Sequence, residues 1–180
     1  MLDLVRISAP LRALLHKMGD GQSPFELLAV DGGRFPGITE AQLHATADCR
    51  LPKEALAGLL LYAGFGEQSH NIAQSCGSKE GHYWHGIYHR MEPDEWNSMY
   101  WLRQVGTHEI YGELAKKAAS LGFGDGRNWK HQAFVDWVSE ARQRGDKKEI
   151  EKAKMIQLAE WQLLFGWCAE SVGREGSASR

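Results

Sequence analysis

The sequence holds three cysteines in 180 residues, Cys49, Cys76 and Cys168. Their spacing fits neither a zinc motif nor a dense disulfide framework, so free thiols in a reducing compartment are expected. Long apolar runs are missing too. No stretch approaches the roughly 18 uninterrupted apolar residues of a helical membrane span. The N-terminus has no basic leader followed by an apolar run and a small-residue cleavage site, so no secretory signal is expected, and the cytoplasm is the expected location. Nor is there an excess of charge. The chain carries 21 basic and 23 acidic residues, net -2, which gives no general attraction to nucleic acid or to an anionic membrane. Lys116, Lys117, Arg127, Lys130, Arg142, Arg144, Lys147 and Lys148 share one half of the chain, but Glu and Asp are mixed among them, as on a solvated face. Aromatic residues sit at core spacing without interleaved basic residues, so nucleic acid is not an expected partner.

Phosphate-loop chemistry is absent. Asp31, Gly32, Gly33 and Arg34 match neither GxxxxGKS/T nor GxGxxG and read as a turn. Nucleophile pairs are absent as well. Ser69 and His70 are neighbours in sequence, and positions i and i+1 do not face each other on a helix.

What remains is ordinary in bulk: 43% hydrophobic and 24% charged residues, at a length that suits one domain with a sizeable core. The periodicity is helical throughout. Leu4, Ile7, Leu11, Leu14 and Met18 recur at helical spacing, with Pro10 interrupting or starting the helix. The segment FELLAV is too short to decide between helix and strand. Thr39 is a plausible N-cap, with Gln42 at the capping-box position, for a helix over 40–48. Further helices are expected over 53–63, 67–75, 79–91, 94–105, 108–121, 129–143 and 147–172. Glycine exits and acidic first turns mark their ends. Thr107 is expected to cap the helix from 108. The pairs 53–63/67–75 and 79–91/94–105 start about 26 residues apart, a spacing that suggests packed helical hairpins. The expected fold is therefore all-α, packed hairpins with a short tetratricopeptide-like right-handed array as one form. It is read as one domain over 1–173, with a flexible tail over 174–180.

Residues 67–108 concentrate the chemistry. They hold five of the eight histidines, His70, His82, His85, His89 and His108, and three of the seven tryptophans. On a wheel of about 100° per residue, Tyr83, Trp84, Ile87, Tyr88 and Met91 form one face. His82, His85 and His89 form a narrow stripe almost opposite. His85 and His89 have the four-residue spacing of an HExxH motif, but Gly86 stands where the general-base Glu would be. His82 and His89 are separated by about 10 Å of axial rise, so one ion cannot take all three. A metal would need a third ligand from elsewhere: His70, Glu67, Glu92, Glu95 or His108. His70 is the candidate that a hairpin would fold back onto the stripe.

Three more residues join the candidate ligand-binding set. Arg90 either ties two helices together or clamps an anion. Asn97 sits inside a helix, which does not favour it. Glu160 falls between two apolar faces of the last helix. Either it lies on a solvent-facing seam, or it is buried and pairs with a histidine or arginine of the central block, because a buried carboxylate needs a partner or a raised pKa.

The block Gly81, Tyr83, Trp84, His85, Ile87, His89, Arg90, Glu92, Pro93, Asp94, Asn97, Tyr100, Trp101, Arg103, Val105, Gly106 and His108 resembles the pattern of an uncharacterised bacterial and fungal family of small helical proteins. The likeness spans about residues 56–115 and implies a location for the site, not an activity. Trp96 and Met99 stand where that pattern has smaller or polar residues. Two readings stand side by side. One is a small-molecule or metal-binding protein, using His70, His85 and His89 for a divalent transition metal in a groove that His82, Arg90, Asn97 and Glu160 help to line. The other is a helical scaffold that holds a protein partner.

Overall fold

Helix α3 (Lys53–Ala63) explains most of the architecture. KEALAGLLLYA is too apolar to sit on a surface, and every residue from Ala55 to Ala63 is buried. The helices over residues 40–47, 66–75, 79–91 and 147–174 pack against it. The computed structural model describes residues 7–27, 32–47 and 51–174. Among these residues there are nine helices and no strand, so the fold is all-α. The expectations for Leu4, residues 28–31, Cys49 and the tail after 174 lie outside the described residues.

The remaining helices are α1 (Ala9–Lys17), α2 (Glu40–Ala47), α4 (Gly66–Ser75), α5 (Lys79–Met91), α6 (Glu95–Val105), α7 (Tyr111–Ser120), α8 (His131–Arg144) and α9 (Lys147–Arg174). Local chemistry accounts for several boundaries. The Thr39 amide donates to Gln42 Oε1 at 3.1 Å and the Gln42 amide to Thr39 Oγ1 at 3.3 Å, a reciprocal capping box. Ser78 and Asp94 cap α5 and α6 by accepting from the amides of Gly81 and Asn97. Gly64 ends α3 at φ 85°, a left-handed conformation that suits glycine.

One expected boundary moves. Thr107 does not cap a helix from 108; α7 starts at Tyr111. The His108 imidazole accepts from the Ile110 amide at 3.3 Å, and this local turn precedes the helix.

Adjacent helices pair as hairpins, α3 with α4 and α5 with α6, and α4 also lies along α5. Two glycines set the spacing. A Cβ on Gly58 would lie 2.5 Å from Trp84 Cζ2, so α5 reaches α3 through the Trp84 ring. A Cβ on Gly86 would lie 2.5 Å from Leu102 Cγ and 3.2 Å from the Ser98 carbonyl oxygen. Ser98 Oγ donates to the Gly86 carbonyl at 2.8 Å, closing the α5–α6 contact. This explains the absence of a Glu at position 86: that side of α5 is filled by α6. Gly86→Ala gains about 1 kcal/mol of helix propensity but incurs an overpacking cost of about 1–3 kcal/mol. A net loss of up to about 2 kcal/mol is expected from urea unfolding of the metal-free protein. A stabilised variant would contradict the close-packing account.

Candidate metal centre

The hairpin order brings α4 across the histidine stripe of α5. Ser69 Oγ donates to the Ala57 carbonyl of α3 at 2.8 Å. With Ser69 turned to α3, the next residue is about 100° further round the helix. That residue is His70, and it meets α5. His85 and His89 lie one turn apart on α5 and face it.

The three imidazoles converge. One nitrogen from each lies within 4.8 Å of the others. The ring centroids are 4.4 Å apart for His70–His85, 5.2 Å for His70–His89 and 4.9 Å for His85–His89. His85 and His89 are buried, and His70 is partly exposed. Nδ1 of His85 is buried and makes no hydrogen bond. A buried polar atom without a partner is costly, on the order of 1–3 kcal/mol.

Each imidazole is backed by another side chain. The Trp101 ring stacks on His85 with centroids 4.0 Å apart and planes 16° apart. The Tyr88 ring packs on His70 at 4.8 Å. His89 Nδ1 lies 3.1 Å from Glu92 Oε2, and the Tyr88 hydroxyl donates to Glu92 Oε1 at 2.8 Å. His82, the third member of the stripe, packs on Trp101 at 5.4 Å and is not part of the converging set.

Burial shapes the electrostatics. Desolvation, then the neighbouring His70, His89 and His82, pushes the His85 pKa down to about 3. His70 is lowered as well, first by burial and then by His89, with Glu92 and Glu67 opposing. At neutral pH, His85 is therefore neutral and offers a lone pair.

The other candidate residues lie elsewhere. Arg90 is about 100° round α5 from His89 and points to α9. It forms a buried ion pair with Glu160 and donates from Nε and Nη2 to Gln157 Oε1 at 3.1 and 2.9 Å. The arginine expected as partner for Glu160 is thus Arg90, and the pair ties α5 to α9 rather than lining the histidine cluster. Asn97 holds the start of α6, with Nδ2 donating to Asp94 Oδ2 at 2.7 Å. Its place inside a helix reflects this local bond.

Two histidine arrangements have no signal in the sequence pattern, because Tyr111, Glu80 and Trp167 reach them from separate segments. Trp129 Nε1 donates to His131 Nδ1 at 3.1 Å, which puts the ring proton on Nε2, 2.8 Å from the Tyr111 hydroxyl. Burial, then Arg90 and His108, lowers the His131 pKa to about 3. His108 Nε2 lies 3.4 Å from Glu80 Oε1, and Trp167 Nε1 donates to the same oxygen at 3.0 Å. The His108 imidazole beside it, against the cost of burial, holds Glu80 down at about 2.

These shifts set an acid profile. The unfolded chain takes up a proton at a histidine near 6.5, and the folded chain does so at His131 and His85 only near 3. Between these values the unfolded state binds more protons, so stability rises with pH. Glu80 acts in the same direction between about 2 and 4.5. Metal-free protein is expected to lose melting temperature steadily from about pH 6.5 toward pH 4, with at most about 1.4 kcal/mol per pH unit from His131. A flat profile across that window would contradict the buried-neutral assignment.

No known family profile matches the chain, and no curated protein or solved structure is significantly similar to it.

Proposed function

We propose that the protein binds a divalent transition-metal ion through His70, His85 and His89, leaving a further coordination position for water or a small molecule. The observation that carries this reading is the buried, unpartnered Nδ1 of His85 beside two other imidazoles. Three neutral nitrogen donors suit zinc, copper, nickel or iron better than magnesium or calcium. Zinc–nitrogen bonds of about 2.0–2.1 Å would put tetrahedral donors about 3.3 Å apart. Nitrogens within 4.8 Å reach that by small side-chain rotations. The depressed pKa of His85 favours the same reading, since protons compete weakly for its lone pair. A pure scaffold does not require three imidazoles to converge on one point.

The test is titration of metal-free protein with zinc by calorimetry, and with nickel by tryptophan fluorescence. One ion per chain is expected. Nickel quenching is expected to weaken in Trp101→Phe, because Trp101 stacks directly on His85. Stoichiometry unchanged by loss of all three histidines would sink the proposal.

A further inference from the structure

We infer that Tyr88 and Glu92 form a positioning pair that preorganises the three-histidine site, an inference that rests on the metal reading above. The Glu92 carboxylate bridges two groups. Oε2 faces His89 Nδ1 at 3.1 Å, and Oε1 accepts from the Tyr88 hydroxyl at 2.8 Å. A carboxylate can only accept, so the His89 proton sits on Nδ1 and Nε2 keeps its lone pair. A carboxylate placed in this way fixes the tautomer and ring orientation of a ligand histidine and raises its basicity.

Tyr88 links this carboxylate to the other helix. Its side chain is buried, and its ring packs on His70 at 4.8 Å while its hydroxyl holds Glu92. One side chain thus contacts the ligand donated by α4 and orients the carboxylate that holds a ligand of α5. The i, i+3 spacing of His89 and Glu92 and the i, i+4 spacing of Tyr88 and Glu92 keep the three on one side of α5 and its C-cap. Glu92 is partly exposed, so the pair sits at the solvent edge of the cluster. The negative charge there offsets part of an ion's charge without occupying a coordination position.

The test compares zinc affinity and the His89 tautomer in wild type, Glu92→Ala, Glu92→Gln and Tyr88→Phe. Glu92→Ala is expected to weaken zinc about 10–100-fold. Glu92→Gln keeps an acceptor for Nδ1–H and falls between it and wild type. Tyr88→Phe shifts in the same direction by less. Imidazole nitrogen chemical shifts of metal-free protein are expected to show the Nδ1–H tautomer of His89 in wild type and its loss in Glu92→Ala. A generic packing role would not move that readout.

If wild type binds zinc and Glu92→Ala binds it equally well, the positioning role is overturned and the metal site stands. If Glu92→Ala and Glu92→Gln both abolish binding and the cobalt(II) spectrum of wild type requires a carboxylate ligand, Glu92 is a ligand, and the inference is equally overturned. If wild type binds no zinc, both readings fall.

Discussion

Glu160→Ala is expected to cost about 3–5 kcal/mol of folding stability, read from urea unfolding of the metal-free protein. Glu160 is 0% exposed and its partner Arg90 1% exposed, so this is not a surface pair worth a few tenths of a kcal/mol. Glu160 accepts from Tyr83 at 3.0 Å and pairs with Arg90, whose guanidinium also lies 4.7 Å from the centre of the Phe134 ring. Burial, reinforced by Glu160, holds the Tyr83 phenol well above its ordinary range, so it stays a donor. Alanine at 160 leaves a buried guanidinium with only Gln157 to satisfy it. For a domain whose total stability is typically about 5–15 kcal/mol, the loss is a large fraction.

Arg90→Met with Glu160→Leu is expected to recover part of it, because an apolar pair needs no desolvation and fills similar volume. The residual cost, about 1–3 kcal/mol, comes from the Tyr83 hydroxyl and Gln157 Oε1 left without their partners. A single variant within about 1 kcal/mol of wild type would contradict the closed, buried network.

His85→Ala is expected to weaken zinc by more than the roughly 100-fold upper range for a lost second-shell partner, since it removes a donor outright. Its effect on the metal-free protein is expected to be small by comparison. Truncation opens a cavity, but it also removes a buried nitrogen that has no partner. The signature is therefore a split, with affinity collapsing while the metal-free melting temperature moves by a few degrees. His82→Ala is the matched control. His82 belongs to the same stripe but packs on Trp101 outside the converging set, so it should leave affinity near wild type. Calorimetry checks both. Equal losses in the two variants would point to a site other than the cluster.

The helix pattern was largely legible. The expected spans 53–63 and 79–91 coincide with α3 and α5, because Pro52, Gly64, Ser78 and Pro93 punctuate strongly periodic segments. The start of α7 was not legible. It depends on the His108 ring turning back to an amide, a contact no propensity encodes.

The metal candidates His70, His85 and His89 could be read because two are one turn apart and the third belongs to the preceding hairpin partner. Arg90 was read as a helix tie or an anion clamp and Glu160 as a seam residue or a buried partner, and their pairing with each other, away from the histidines, was not specified. Position 90 lies about 140° round α5 from position 85. Which helix covers that side depends on α9 returning from the far end of the chain. The supports at Trp101 and Tyr88 were hidden for a related reason, and Glu92 was read as a candidate ligand rather than as a support. Tyr88 was assigned to the apolar face, yet it lies only about 60° from His85 on the wheel, at the border of the two faces. A wheel separates faces by average character and does not resolve their edges.

The proposed site holds one ion among these three imidazoles. Its most direct test is X-ray absorption at the zinc edge on stoichiometrically loaded protein, compared with His85→Ala. The account predicts three imidazole nitrogens at about 2.0–2.1 Å plus at least one light, non-histidine donor, with the imidazole count falling in the variant. A spectrum with one imidazole or none, unchanged by His85→Ala, would contradict it.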